Sequence, residues 1–179
     1  MTPISREELV RRACAIRLAA FDVDGVMTDG RLSFDSLGHE HKTFHVRDGV
    51  GLKLLRQAGI ELAIITGRES PIVQARAGEL GILHVLQGIE DKRAACETLL
   101  SRLQLDWTQC AYMGDDLPDL PVLRRCILAL TVPEAPEVVR HEAHWIATVG
   151  GGQGAVRCAA DMILEARGQW QDVLKPWRD

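Results

Sequence analysis

The stretch "AAFDVDGVMTDG" (residues 19–30) runs from a short apolar segment straight into three aspartates, two glycines and a threonine. A strand buried on both faces reads as a continuous apolar run, and such strands usually end in neutral turn residues. This one ends in carboxylates at Asp22, Asp24 and Asp29. Further runs of the same kind follow: "ELAIITG" (61–67), "LHVLQ" (83–87), "QCAYMGD" (109–115), "ILALTV" (127–132) and "HWIATV" (144–149). Helical patterns separate them, at 51–59, 70–81, 91–105, 115–126 and 136–143, and Gly59 and Gly81 stand where helix stops favour glycine. Strand–helix alternation of this kind predicts an α/β fold with a mainly parallel sheet and helices on both faces. One segment breaks the rhythm. "GRLSFDSLGHEHKTFHVRDG" (30–49) reads as a β-hairpin, about 30–47, turning at Ser36–Gly38.

The 179 residues suffice for one domain with a real core, so a single domain over 1–179 is expected, with a C-terminal tail from about 168. A net charge of −4 provides no basic footprint for nucleic acid. No apolar run approaches the ~20 residues that span a bilayer. The five cysteines are widely spaced and form no CxxC pair, and the opening residues lack the layout of a secretory signal. Buried, reduced thiols and a cytoplasmic location are the corresponding expectations.

In open parallel sheets, ligands bind beyond the carboxyl ends of the strands. The polar residues after the apolar runs are therefore the ones that count: Asp22 and Asp24, then Thr66, Lys92, and Asp115, Asp116 and Asp119. Aspartates gathered at one place repel unless a cation sits among them, and oxygen donors select Mg²⁺. A carboxylate beside Mg²⁺ can attack phosphorus, which makes Asp22 a candidate nucleophile. Asp24, two positions on, suits proton transfer. Thr66 and Lys92 would hold phosphoryl oxygens. Asp116 and Asp119 suit the N-terminus of the helix that follows and the surroundings of the metal. His39, His41 and His45 complete no zinc set. "GGGQG" (150–154) could cradle an anion or act as a flexible connection.

"DVDGVMTDG", "TGR" (66–68), Lys92 in "QGIEDK" and "GDDLPD" (114–119) resemble the four ordered motifs of haloacid dehalogenase superfamily phosphatases. The resemblance covers about residues 17–167. It is strongest to 3-deoxy-D-manno-octulosonate 8-phosphate phosphatases, through "HVRDGVGLKLL", "GDDLPDLPVL" and "GGQGAVR" as well. It implies a Rossmann-like three-layer sandwich, Mg²⁺, Asp22 as nucleophile and Asp24 as general acid/base. It also implies that Asp22, the Asp24 backbone carbonyl and Asp115 ligate the metal. Gly67 and Arg68, with Arg47, Asp48 and Gly49 at the hairpin's end, would meet a phosphorylated sugar acid. The superfamily usually covers its site with a cap domain, for which the hairpin is the only insertion here. The resembling family answers with tetramers whose hairpins and tails cover neighbouring sites, so a homo-oligomer, most simply a tetramer, is expected. Leu32, Phe34 and Phe44 would supply its apolar contacts. The tail departs from the pattern at Gln153, where family members commonly have Arg, and at Cys158, where they have an acid.

The leading expectation is a phosphomonoesterase for 3-deoxy-D-manno-octulosonate 8-phosphate, in lipopolysaccharide precursor synthesis. The alternative is a phosphatase for a nine-carbon, sialic-acid-type sugar acid 9-phosphate. A phospho-receiver domain also clusters aspartates, Thr and Lys around Mg²⁺, but has no use for a second aspartate two positions after the first. The intact motifs and the lack of a second domain argue against an idle oligomerisation domain.

Overall fold

A computed structural model describes residues 4–178; Met1–Pro3 and the tail's last residue, Asp179, lie outside it. Six strands form one parallel sheet: β1 (Leu18–Phe21), β4 (Glu61–Ile65), β5 (His84–Leu86), β6 (Cys110–Met113), β7 (Leu128–Thr131) and β8 (Trp145–Ile146). Their spatial order is β5-β4-β1-β6-β7-β8, with β1 paired to β4 and β6. This is the doubly wound Rossmann order, in which the chain reverses direction across the sheet beside β1. Every residue of β1, β6 and β7 is buried, as their uninterrupted apolar sequences require of strands covered on both faces.

The helices are α1 (Arg6–Ala15), α2 (Val46–Gln57), α3 (Pro71–Leu80), α4 (Lys92–Arg102), α5 (Leu120–Leu123), α6 (Glu137–Glu142), α7 (Ala155–Ala166) and α8 (Trp170–Leu174). α2 packs against α7 and α3, and α1 against α7, while α4, α5 and α6 form the other layer. Local chemistry sets several ends. Asp91 caps α4 by accepting from Ala94 N–H at 2.9 Å, and α3 starts at Pro71 and stops at Gly81 in the left-handed region (φ 68°). The C-terminus of α1 is closed by Arg167, whose guanidinium donates to the carbonyls of Ala13 and Ile16 at 3.1 and 2.9 Å.

Two expectations change, and one helix carries no sequence signal. The hairpin is reduced to β2 (Ser33–Phe34) and β3 (Glu40–His41), and α2 begins at Val46 rather than 51, so Arg47, Asp48 and Gly49 belong to a helix. The His45 imidazole makes that earlier start possible by accepting from Arg47 N–H at 3.3 Å. The segment 115–126 is not one helix: a 3₁₀ turn at Leu117–Asp119 precedes the single turn of α5, with Pro118 and Pro121 near the start of each. Finally, α1 carries no apolar periodicity strong enough to announce it; only Ala13 of its ten residues is buried.

Candidate active site

The carboxyl ends of β1, β4, β5 and β6 open into a cavity of about 670 Å³. It is lined by Asp22, Asp24, Thr66, Gly67, Arg68, Lys92, Asp115, Asp116 and Asp119, among others. All four sequence motifs therefore meet at one place. A second chamber of about 400 Å³ shares Gly30 and Asp115 with it.

Asp22 follows β1 directly and is 7 % exposed. Its Oδ2 lies 2.9 Å from Lys92 Nζ, while Oδ1 is buried with no hydrogen-bond partner among the described residues. Burial, then the charge of Asp119, pushes its carboxyl up to about 6, against the pull of Lys92. Lys92 opens α4, an end that disfavours a cation. Its side chain instead bridges Asp22 and Asp119, with 2.7 Å to Asp119 Oδ1. Burial works against its charge, but the two aspartates outweigh it and hold its pKa above the ordinary lysine value.

Asp119 is the hub. It is fully buried, and Oδ1 accepts from Lys92 and, at 2.6 Å, from the Tyr112 hydroxyl. Oδ2 accepts from the backbone N–H groups of Asp115 and Asp116 at 3.0 and 3.1 Å. One carboxylate thus fixes both the cation and the loop that carries Asp115. Asp116 turns its own side chain to Leu117 N–H at 2.8 Å, capping the 3₁₀ turn. Tyr112 passes unnoticed in the sequence because it lies inside an apolar strand; its hydroxyl is the only sign of a polar role.

Asp115 Oδ1 is the other buried carboxylate oxygen of this cavity without a partner among the described residues. Burial, then Asp22 and Asp119, pushes the Asp115 carboxyl up to about 7. Oxygens of Asp22, Asp115 and Asp119 lie within 4.8 Å of one another. Two buried oxygens left without partners, in a cluster of oxygen-only donors, suit a small hard cation, and the set fits Mg²⁺. Gly25, at φ 94°, completes this geometry: a Cβ there would stand 2.0 Å from Asp115 Oδ2.

The second motif is equally tight. Thr66 is 2 % exposed, with its N–H bonded to Leu86 O at 2.9 Å and its carbonyl accepting from Ile89 N–H at 3.1 Å. Arg68 reaches Glu40 Oε1 at 2.7 Å, and Ser70 Oγ donates to Glu40 Oε2 at 2.8 Å. Lys42 ion-pairs with Asp24 Oδ1. The sequence does not mark Glu40, Lys42 or Ser70 as site residues. Alternation in so short a hairpin marks them only as polar, and nothing in their spacing shows that they turn inward.

Three sequence candidates lie elsewhere. Arg47 is exposed and, with Asp48 and Gly49, is absent from the cavity wall of the single chain. Asp48 is 2 % exposed and accepts from Arg157 N–H at 2.8 Å, fastening α7 to α2. The glycine loop 150–154 is not a loose connection. Gly152 N–H bonds Val26 O at 3.1 Å, and a Cβ at Gly151 would meet Gly25 O at 1.9 Å, so the loop lies flat on the first motif. Asp29 fixes its own loop, accepting from Arg31 N–H at 3.1 Å. The cysteine expectation holds for Cys96, Cys110 and Cys126, which are buried, but not for exposed Cys14.

A doubly wound sheet whose first strand ends in a paired DxD, joined by a buried lysine and a second acidic loop, defines a hydrolase of the haloacid dehalogenase class. The model of the haloacid dehalogenase-like hydrolases matches residues 41–126. The chain is 44 % identical over 161 residues to 3-deoxy-D-manno-octulosonate 8-phosphate phosphatase KdsC of Yersinia pestis, covering 90 % of this chain and 86 % of that protein. It belongs to the 3-deoxy-D-manno-octulosonate 8-phosphate phosphatase family. The Escherichia coli K12 member is 40 % identical over 171 residues, 96 % of this chain and 90 % of that one. Among solved structures, the Moraxella catarrhalis phosphatase in complex with magnesium ion, phosphate ion and KDO superimposes with a TM-score of 0.94. It is 43 % identical and covers 96 % of this chain and 99 % of its own. A probable YrbI family phosphatase from Pseudomonas syringae gives the same TM-score at 48 % identity, covering 97 % and 98 % of the two chains.

Proposed function

We propose that this chain hydrolyses 3-deoxy-D-manno-octulosonate 8-phosphate to the free sugar acid and phosphate, with Mg²⁺ as cofactor, in lipopolysaccharide precursor synthesis. The observation that carries the reading is the pair of orphaned oxygens on Asp22 and Asp115 beside the buried Lys92. Asp22, the Asp24 carbonyl and Asp115 hold the ion. When bound, Mg²⁺ neutralises the carboxylates and draws charge from the phosphoryl oxygens.

Asp22 attacks phosphorus, forming an aspartyl phosphate as the bond to the sugar oxygen breaks. Asp24 gives its proton to that oxygen, which keeps the electron pair of the broken bond. It then takes a proton from water, whose oxygen displaces Asp22 from phosphorus. Lys92, already held by Asp22 and Asp119, steadies the phosphoryl charge without having to reorganise. The Thr66 hydroxyl and the Gly67 backbone, both at the cavity wall, would hold the same oxygens. Arg68 lines the cavity, and Arg47, absent from its wall in the single chain, would reach the substrate carboxylate from a neighbouring copy, the guanidinium fork matching both of its oxygens. Asp48 and Gly49 serve this by fixing the helix turn that carries Arg47.

The assembly we propose is a cytoplasmic homo-oligomer, a tetramer on the family pattern. Leu32, Phe34, Leu37 and Val46 are 52, 56, 79 and 78 % exposed around the hairpin, an apolar surface that a second copy would cover. Phe44 is not part of it. That ring is partly buried against the core, with the Arg76 guanidinium 5.8 Å from its centre. No helix among the described residues is long and apolar enough to cross a membrane.

The test is a turnover screen over phosphorylated sugar acids, including a nine-carbon 9-phosphate, with Mg²⁺ or a chelator. Preference for the eight-carbon 8-phosphate and loss in chelator are expected. Equal or better turnover of the 9-phosphate would overturn the substrate assignment.

A further inference from the structure

Lys42 is buried more completely than Lys92: its side chain is 2 % exposed, against 5 %. It sits just after β3 in a hairpin whose neighbouring residues Ser33, Phe34, His41 and Thr43 are all exposed, so packing gives no reason to draw a lysine inward. A buried ammonium is costly unless charges meet it. Two do: Asp24 Oδ1, in direct ion pair, and Glu40 Oε1 at 3.5 Å. Glu40 cannot drift, because Arg68 and Ser70 occupy its two oxygens. The far side of Asp24 is different. Its Oδ2 lies 3.6 Å from Arg68 Nε, beyond a good hydrogen bond, and the carboxylate borders the cavity.

We propose that Lys42 is a positioning residue for the reaction: it engages Asp24 through Oδ1 so that Oδ2 is the oxygen that carries and delivers the proton. This rests on the reading of Asp24 as general acid/base. Lys42 does not line the cavity and acts only through Asp24. In the first displacement, the Oδ2–H bond breaks as its proton passes to the leaving sugar oxygen, which takes the electrons of the broken P–O bond. In the second, Oδ2 accepts a proton from water as the water oxygen bonds phosphorus and the Asp22–phosphorus bond breaks. Without Lys42 the carboxylate is free to turn, and the proton is no longer held on the line of transfer.

An alkyl phosphate needs that proton at its leaving oxygen, whereas 4-nitrophenyl phosphate, which expels a stable phenolate, does not. Lys42→Met is therefore expected to lower kcat on 3-deoxy-D-manno-octulosonate 8-phosphate by about 10–100-fold, part of the usual acid–base contribution. KM should stay within about threefold, as for loss of an interaction made only in the transition state. The first-turnover burst of 4-nitrophenolate should stay within about threefold of the parent, since the chemistry of that step needs no acid. Equal losses on both substrates, an unchanged kcat, or a change confined to KM would overturn the proposal.

Asp24→Asn is run alongside. If it lacks the same split between substrates, the acid/base reading itself fails; if it shows the split and Lys42→Met does not, only the role of Lys42 fails. Should Lys42→Met not fold, Lys42→Arg keeps the charge but carries a larger planar head that shifts the carboxylate. It should show the split in weaker form, and full alkyl phosphatase activity would mean that charge rather than position is what Lys42 supplies.

Discussion

The molecule buries two lysines at its active site and does so by different means. Lys92 belongs to the sheet: it opens α4, just past β5, and is clamped by Asp22 after β1 and Asp119 after β6. Lys42 belongs to the insertion: a two-strand hairpin carries it in, and among the described residues it ion-pairs only with Asp24 and Glu40. One cation is part of the frame that holds the fold's carboxylates apart. The other is brought to a finished frame from outside. The sheet network should therefore govern whether the fold and the phosphoryl chemistry exist at all, and the hairpin network how fast protons move within them.

The largest effect that would break this division is at Asp22. Asp22→Asn removes the nucleophile, so turnover of the sugar acid phosphate should fall on the order of 10⁴-fold or more. The fold should survive, because the amide relieves a desolvated carboxylate and leaves Lys92 paired with Asp119. Near-parental rates in a verified variant would end the covalent mechanism. Lys92→Met comes next. It should cost about 10²–10³-fold in kcat, as for removal of one oxyanion donor, and also about 3–5 kcal/mol of stability through the two carboxylates left uncompensated. Lys42→Met should cost less stability, measured by the same denaturant titration. If it costs more, the hairpin is part of the frame after all.

The sequence made one of these networks legible and hid the other, for a physical reason. Asp22, Asp24, Thr66, Lys92 and Asp115 all follow apolar runs, and a parallel sheet obliges the ends of such runs to converge. Fold and cluster could therefore be read together. Lys42 and Glu40 lie in a segment without a core of its own, where polar residues on both faces are the ordinary expectation and inward turning leaves no periodic trace. Asp48 misled in the opposite direction. It stands next to Arg47 in a motif that resembles a substrate contact, but the early start of α2 turns it into the interior. Tyr112 and the glycine loop 150–154 were obscured in the same way, since their roles depend on which distant segment lies against them.

A smaller effect sharpens the picture of the frame. The folded protein raises Asp22 to about 6 and Asp115 to about 7 from an ordinary 3.8. Proton uptake therefore favours the folded state, and that stabilisation is complete below about pH 4 and lost as pH rises through 6 and 7. Metal-free protein should melt several degrees higher at pH 5 than at pH 8 through these groups. Mg²⁺ should raise the melting temperature far more at pH 8, where the carboxylates are ionised. His144, whose pKa is lowered by burial and Arg12, acts in the opposite sense below its ordinary 6.5. Comparison with Asp115→Asn removes that contribution, because both proteins share it. The variant should show a flatter profile; an unchanged one would mean that the orphaned oxygens carry no strain.

The smallest expected effect tests a buried carboxylate outside both networks. Asp48 Oδ1 accepts from Arg157 N–H, but Oδ2 is buried without a partner, and burial raises its pKa. Among the described residues no lysine or arginine side chain is bonded to it: Arg157 turns its guanidinium to Asp161 at 2.7 Å and over the Trp170 ring. Asp48→Asn keeps an oxygen for the α7 backbone and replaces the unpaired anionic oxygen with a neutral amide. Because the raised pKa means that ionised Asp48 opposes folding at neutral pH, the variant should match the parent or exceed it by up to about 1 kcal/mol. Its kinetics follow from the same burial. If Asp48 only fastens α2 to α7, KM for the sugar acid phosphate should move less than about twofold, a shift worth under half a kcal/mol. If KM rises tenfold with stability unchanged, Asp48 touches substrate in the assembled enzyme. The division between frame and insertion would then extend to a third group of residues at the start of α2.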